Sequence, residues 1–128
     1  MPAVDLLPVR ATRVVAASDA VDGAVTLPGA IVLRLAPDEA LVLGDGAVTV
    51  TDPHGLVCSD NGWSAATLTW FAFDRTVAPH VEWHLPTARP TLAQGRIAGV
   101  PAKLWLEHDR VLLLTATVYA DELADRLR

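Results

Sequence analysis

The sequence predicts an α+β fold with antiparallel or mixed sheets and few helices. Three apolar runs in the last third of the chain favour strands: Leu92–Ala98, Ala102–Leu106 and Val111–Ala116. They are separated by a glycine-containing turn and a charged corner. Val111–Leu114 is apolar without alternation, which predicts a strand buried on both faces. The last twelve residues change to helical periodicity, so a helix is expected to follow the strands.

In this closing helix, Val118, Leu123 and Leu127 are expected on or near the buried face, with Tyr119 beside them. Thr117 is expected to cap the first turn by accepting a hydrogen bond from an unpaired backbone N–H. The acidic residues fall largely on the other face, in the first half of the helix. The helix dipole favours negative charge at that end.

Shorter apolar runs, bounded by Pro, Gly and Asp turns, predict strands upstream. They are Ala30–Leu35, Ala40–Leu43, Leu56–Ser59 and Trp63–Phe73, with shorter candidates at Ala24–Leu27 and Ala47–Thr51. Asp60-Asn61-Gly62 predicts a tight turn. A first helix is expected over Asp74–His84 with Asp74 as its N-cap, although Pro79 would kink it or move its start.

The 128 residues are expected to form a single α+β domain at 24–128, preceded by an N-terminal arm at 1–23. The first 23 residues are weakly patterned. Two interpretations of the arm stay open: a loosely held terminus, or a segment that becomes ordered against a partner.

Composition argues against several classes of function. The formal net charge is −5 and Lys103 is the sole lysine, whereas nucleic-acid binding needs clustered cations. No run approaches the roughly 20 apolar residues of a membrane span. No basic region precedes the first apolar residues, so no signal peptide is expected and a cytoplasmic location is predicted. The 52% apolar content is high for this size and indicates an interface with another protein.

Four residues have side chains of the types that bind zinc: His54, Cys58, His80 and His84. Two histidines four residues apart on a helix would present both rings on one face. However, Pro79 makes that helix doubtful, and the spacings match no zinc signature. No metal ligand is therefore assigned. Cys58, the single cysteine, is expected to be a small core residue.

Three further sets contain residue types used in catalysis or phosphate binding. They are the acid pairs Asp38-Glu39 and Glu122-Asp125, the turn Gly44-Asp45-Gly46, and Ser59, Ser64, His80 and Asp74 as triad members. A turn and an exposed helix face explain the acid pairs. The glycine turn lacks a phosphate-loop continuation, and no nucleophile-elbow sequence surrounds either serine. The sequence therefore assigns no catalytic, cofactor-binding or metal-ligating residue.

The four tryptophans are expected to pack in or beside the core: Trp63, Trp70, Trp83 and Trp105. Aromatic side chains are also enriched at protein interfaces. Trp70 with Phe71, or Trp83, are therefore candidates for contact with a partner.

Several segments resemble the gamma subunit of heterotetrameric sarcosine oxidase. Leu33–Gly44 resembles that family's "L-x-P-D-E-W-L-L-L" strand–turn–strand, and Leu92–Trp105 resembles its "AQT-x-LA-x-VPVLLW" strand pair. Val111–Leu127 is similar to its last strand and helix, "F-x-LLV…SFADYLxxWL". Thr51–Gly55 lies where this family and the glycine cleavage T-protein carry "V-D-x-S". The chain departs from the family at Thr69–Asp74, where "L-x-G-P-x-A" is usual.

The resemblance implies a ferredoxin-like split β-α-β unit, as in the folate-binding domain of T-protein-like proteins. It implies a non-catalytic accessory subunit of a sarcosine-oxidase-like flavoprotein complex that packs on the larger catalytic subunits. FAD, FMN, NAD and tetrahydrofolate are then expected in the partner subunits and not in this chain. Whether the isolated chain forms a homo-oligomer stays open.

Two other hypotheses are considered. A stand-alone module for a folate-like ligand would need a large concave pocket with a carboxylate placed for the pterin. An enzyme using His54, His80, His84 or Cys58 ranks lowest, since no motif supports it.

Overall fold

The computed structural model describes residues 4–128, which divide into two compact units. The five-stranded unit comprises Gly62–Arg128 together with residues 4–8, and the four-stranded unit comprises Val9–Asn61. In chain order the elements are β1 (Leu7–Val9), β2 (Ala11–Val15), α1 (Ser18–Asp22), β3 (Ile31–Ala36), β4 (Glu39–Leu43), β5 (Leu56–Ser59), β6 (Trp63–Leu68), α2 (Trp70–Thr76), a 3-10 turn (Ala78–His80), β7 (Thr91–Ile97), β8 (Val100–Leu106), β9 (Val111–Ala116) and α3 (Thr117–Arg126). The predicted α+β class is confirmed.

The five-stranded sheet has the order β1-β6-β9-β8-β7, so β9 is its central strand. β9 pairs antiparallel with β6 on one side and with β8 on the other. Val111 and Leu113 are fully buried, Leu114 is 1% exposed and Leu112 is 9% exposed. The predicted burial of this run on both faces is confirmed.

One face of this sheet carries the core of the five-stranded unit, covered by α2 and α3. The core includes Ala66, Phe73, Val77, Ile97, Val100, Leu104, Leu106, Val111, Leu113, Leu123 and Leu127. On β8 these are alternate residues, as expected for a strand whose side chains point to opposite faces in turn. The other residues of β7 and β8 therefore lie on the opposite face.

The buried face of α3 consists of Ala120 and Leu123 and is continued by the C-cap residue Leu127, with spacings of three and four residues. Val118 was expected on this face but is 82% exposed. Five residues separate it from Leu123, which places the two about 140° apart around a helix of 3.6 residues per turn. The expected cap is also wrong: Thr117 is the first helical residue, and its hydroxyl lies 3.0 Å from that of Ser64.

α2 begins four residues before the expected Asp74 start, and its N-cap is Thr69. The Thr69 hydroxyl accepts a hydrogen bond from the backbone N–H of Ala72 at 3.1 Å. The helix ends before Pro79, which instead lies in the separate 3-10 turn, because an interior proline cannot donate a helical hydrogen bond. The expected strand Trp63–Phe73 is correspondingly shorter and ends at Leu68.

Replacing Thr69 with alanine is expected to lower the free energy of unfolding by about 0.5–2 kcal/mol, because the first turn loses its side-chain cap. Asp74→Ala, at the position expected from sequence, should change it by less than about 0.5 kcal/mol since Asp74 is exposed. Chemical denaturation followed by circular dichroism measures both values. Equal costs for the two substitutions would contradict the observed helix start.

The four-stranded sheet has the order β3-β4-β2-β5, with antiparallel neighbours throughout. Its core consists of Val14, Ala16, Val21, Ala40 and Val42. The expected strands at Ala24–Leu27 and Ala47–Thr51 reduce to a single antiparallel bridge between Val25 and Thr49.

The structure corrects the expected N-terminal arm at 1–23. Met1, Pro2 and Ala3 lie outside the described residues, but Ala11–Val15 is an inner strand and Val14 is fully buried. Short strands with only five residues carry little sequence pattern, and this one becomes stable through pairing with β4 and β5. The two boundaries between the units fall instead between Pro8 and Val9 and between Asn61 and Gly62.

Asp60-Asn61-Gly62 joins β5 of one sheet to β6 of the other and does not close a hairpin. The Asn61 side chain accepts a hydrogen bond from the backbone N–H of Ala11 at 3.0 Å. Among residues 4–128, no helix has the length and apolar character needed to cross a bilayer.

Candidate functional site

The four candidate zinc ligands do not form a cluster. His54 and Cys58 belong to the four-stranded unit, whereas His80 and His84 belong to the five-stranded unit. His80 lies in the 3-10 turn and His84 beyond it, so the two do not share a helical face. In the part of the chain that the structure describes, no group of three or more His, Cys, Asp or Glu is placed to hold a metal ion.

The expectation that Cys58 is a core residue is wrong, because its side chain is exposed. All four residues of β5 are exposed, including Leu56 at 64% and Val57 at 42%. Among the strands of residues 4–128, β5 pairs with β2 alone and forms an edge of its sheet. An exposed apolar edge strand is a surface on which another chain can pack.

Glu39 was expected on a solvated turn, but it forms an ion pair with Arg13 on the neighbouring strand. Asp60 binds the same guanidinium, with Oδ2 at 2.8 Å from Nη2. Burial lowers the pKa of Arg13, but the hydrogen bonds to Glu39 and Asp60 raise it, and the net shift is upward. This half-buried cluster ties β2 to β4 and to the end of β5.

The residues proposed as triad members also have structural partners or remain apart. Ser64 is 1% exposed, and its hydroxyl forms a hydrogen bond with the hydroxyl of Thr117. Ser59 is on the exposed edge strand of the four-stranded unit, whereas Asp74 and His80 lie in the five-stranded unit. Among the described residues, Ser64 therefore has its hydroxyl hydrogen-bonded to Thr117 and not to a histidine.

A cavity of about 450 Å³ opens in the five-stranded unit, beside the β7–β8 hairpin and the first turn of α3. We refer to it as the hairpin cavity. Its lining consists of Trp63, Gln94, Gly95, Arg96, Pro101, Ala102, Lys103, Ala116 and Tyr119. Its volume falls within the range of small-molecule pockets.

Strand register explains the polar wall of the hairpin cavity. Gln94 lies opposite Lys103, and Arg96 lies opposite Pro101. Because side chains alternate along a strand, these four residues share the sheet face opposite the core. The Lys103 ammonium hydrogen-bonds to the Gln94 side-chain oxygen, and the Arg96 Nη1 donates to the Gly99 carbonyl at 3.0 Å.

The same register places an aromatic ring on this wall. Lys103 is opposite Leu114, and Trp63 is opposite Ala116, two residues further along β9. Trp63 therefore shares the face of Lys103, whose Nζ lies 5.5 Å from the centroid of its ring. At that distance the cation is attracted to the electron-rich ring face.

A tight turn holds the hairpin that bears Arg96. Ala98 and Gly99 have φ values of 50° and 80°, the positive pair typical of a two-residue type I′ turn. A Cβ at Gly99 would lie 2.9 Å from the Arg126 Nη1, and Arg126 donates to the Ala98 carbonyl at 2.7 Å. The Arg126 side chain thus attaches the turn to α3, and the positive φ of Gly99 is what favours glycine at this position.

Trp83 packs closely against the backbone of β7. A Cβ added at Gly95 would lie 2.6 Å from the Trp83 Cε2, so only glycine allows this approach. The Trp83 indole N–H donates to the Arg96 carbonyl at 2.9 Å. Trp83 therefore helps to fix the backbone on which Arg96 is carried.

The charged corner between β8 and β9 is organised by Glu107. Its carbonyl accepts from the Trp70 indole at 2.9 Å, and its carboxylate accepts from Trp105 at 2.8 Å and from Arg110 at 2.7 Å. The hydrogen bond from Arg110 is the main cause that lowers the pKa of Glu107, and that from Trp105 adds to it. Trp70 also packs edge-on against Phe73, so the packing role expected for Trp70 is confirmed.

Phe71, by contrast, is 68% exposed. The Arg75 guanidinium lies 4.7 Å from the centroid of its ring. An exposed phenylalanine with a stacked arginine is typical of interface surfaces, where aromatic residues and arginine are enriched.

Sequence reasoning did not single out Gln94, Arg96, Lys103 or Tyr119 as a group. The available signal was the placement of polar residues at alternate positions of an otherwise apolar strand, together with the position of the only lysine. Pairing between β7 and β8 gathers Gln94, Arg96 and Lys103 on one wall, and Tyr119 reaches the cavity from α3.

No protein-family model and no curated protein sequence matches the chain. The fold is similar to that of a chain of the heterotetrameric sarcosine oxidase from Corynebacterium sp. U-96, solved in complex with pyrrole 2-carboxylate. The TM-score is 0.70 at 14% sequence identity, and the match covers 97% of this chain and 80% of that chain. The comparison shows the fold, and the α+β architecture predicted from sequence is confirmed by it.

Proposed function

We propose that the chain is a non-catalytic structural subunit of a sarcosine-oxidase-like flavoprotein complex and packs on its larger catalytic subunits. The observation that carries the proposal is the fold likeness to a chain of a heterotetrameric sarcosine oxidase along 97% of the sequence. The sequence resemblance at Leu33–Gly44 and Leu92–Trp105 points to the same family. In this proposal the flavin, NAD and tetrahydrofolate are bound by the partner subunits.

Two exposed apolar surfaces are suited to packing against such subunits. One is formed by Phe71 with Arg75 on α2, and the other by Leu56 and Val57 on the edge strand β5. Burying a large apolar side chain contributes about 1.5–3 kcal/mol, so a few such anchors can dominate an interface. These two surfaces are therefore the proposed contacts.

Co-expression tests the proposal. The chain should co-purify in a fixed ratio with larger flavoprotein oxidase subunits encoded beside it, and the chain alone should not turn over sarcosine. Phe71→Asp and Leu56→Asp should each weaken association about tenfold or more, the loss expected when at least 1.4 kcal/mol of interface energy is removed. Phe71→Leu, which keeps an apolar side chain, is the matched control.

Melting temperatures of the isolated variants separate weakened association from misfolding. Both aspartate variants should melt close to the parent chain because the replaced side chains are exposed. Turnover of sarcosine or a related amine by the chain alone would contradict the proposal. A complex that assembles and works equally well without the chain would contradict it too.

The alternative of a stand-alone module for a folate-like ligand requires a carboxylate placed for the pterin. The hairpin cavity is lined by Arg96 and Lys103 but by no carboxylate among the described residues. This cavity therefore has the opposite charge from the one that the alternative needs.

A further inference from the structure

We infer that the hairpin cavity is a binding site for a small organic anion with a flat apolar body, such as an aromatic carboxylate. This site goes beyond the proposed subunit role, which does not require it. Three properties of the wall point to this class of ligand: its charge, the spacing of its cations, and its aromatic surface.

The charge of the wall is opposite to that of the chain. The formal net charge of the protein is −5, yet the described lining contains the only lysine and one arginine, with no carboxylate. A concave surface lined by one sign of charge concentrates ligands of the other sign. The cavity is therefore selective for anions.

The strand register places the two cations on the same sheet face, on neighbouring strands. Lys103 is directly opposite Gln94, and Arg96 is two residues beyond Gln94 on the same strand. Such diagonal neighbours are about 7–8 Å apart at the backbone and within reach of long side chains. A carboxylate between them would accept from the planar guanidinium at two points and from the ammonium at one.

The remaining surface is suited to the flat body of the ligand. Trp63 presents its ring to the Lys103 ammonium at 5.5 Å, and Pro101 lies beside Lys103 on the same face. Tyr119, which is 39% exposed, lines the cavity from the first turn of α3. A planar apolar group would pack against Tyr119 and Pro101, beside the ring face of Trp63 that Lys103 covers, while its carboxylate faces the cations.

The four tryptophans allow a site-specific test with the full chain. Each indole N–H gives its own signal in a ¹⁵N–¹H spectrum, and the signal of Trp63 reports on the cavity wall. Naphthalene-2-carboxylate should shift the Trp63 signal saturably and leave those of Trp70 and Trp105 nearly unchanged. The uncharged naphthalene-2-carboxamide should bind at least about tenfold more weakly, a difference of 1.4 kcal/mol or more.

Substitutions locate the binding groups. Arg96→Gln and Lys103→Gln should each raise the Kd for the carboxylate about tenfold. Arg10→Gln is the matched control, because Arg10 is an exposed cation of the four-stranded unit outside the cavity. It should leave the Kd unchanged.

Three results would overturn the inference. They are equal binding of carboxylate and carboxamide by the unmodified chain, shifts of all four indole signals together, and no saturable shift at millimolar carboxylate. The carboxylate–carboxamide comparison needs no variant, so it remains decisive if a substitution impairs folding. Failure of this test leaves the co-purification result unaffected, since the cavity and the proposed subunit contacts are formed by different residues.

Discussion

Replacing Leu113 with alanine is expected to lower the free energy of unfolding by about 2–5 kcal/mol, the usual cost of a buried leucine with its residual cavity. Leu113 is fully buried in the central strand β9, opposite Ala66 on β6 and Leu104 on β8. Strands on both sides limit how far the backbone can relax to fill the space. A cost towards the upper end of the range is therefore expected.

The measurement is urea denaturation followed by tryptophan fluorescence. All four tryptophans are in the five-stranded unit, so the signal reports on the sheet that contains Leu113. Leu7→Ala is the matched control because the same atoms are removed from a leucine of the same unit that is 64% exposed. It should change the free energy of unfolding by less than about 0.5 kcal/mol. Comparable losses for the two variants would contradict the assignment of β9 to the core.

Deleting Met1–Gly23 is expected to abolish the four-stranded sheet. The deletion removes β2, which lies between β4 and β5, so β5 would lose its pairing partner in that sheet. It also removes Val14 and Val21 from the core of the four-stranded unit. Loss of this segment is therefore expected to impair folding of the four-stranded unit. Any weaker association with a partner subunit would be a consequence of that misfolding.

Amide hydrogen exchange measures this outcome. Leu41 and Val42 in β4 are nearly fully buried between β2 and β3, and successive amides of a strand point to opposite neighbours. The one of these two amides that points to β2 should be protected in the full chain and lose protection in the truncated one. Val14→Asp should act in the same direction because it places a carboxylate in the core. Val25→Asp is its control, at a valine of the same unit that is 66% exposed. Retained protection of β4 after the deletion would contradict the observed strand order.

Local sequence chemistry predicted the elements whose signals lie within a few neighbouring residues. The unbroken apolar run Val111–Leu114 predicted a central strand, and the structure has it at the middle of the five-stranded sheet. The β7–β8 hairpin was predicted from its two apolar runs and the glycine-containing turn between them. The turn itself lies at Ala98-Gly99, and Pro101 belongs to β8. Helix α3 was predicted in place, but the phase of Val118 and the capping role of Thr117 were wrong.

Two capping residues close together in the sequence explain why the start of the helix near Asp74 was predicted at the wrong position. Thr69 and Asp74 are both residues that cap helices, and the sequence does not say which one does so. The choice depends on burial: starting at Thr69 places Phe73 and Thr76 on the inner face of α2. Only the packed sheet defines which face is inner.

By itself, the sequence determined the α+β class, the central strand β9 and the terminal helix, because hydrophobic period and turn residues act over short distances. The tertiary structure decided the rest. It made β2 an inner strand, left Cys58 exposed on an edge, and paired Gln94 and Lys103 so that the cavity wall became cationic. Each of these depends on pairing between segments that are distant in the chain, and no local pattern encodes which strands become neighbours.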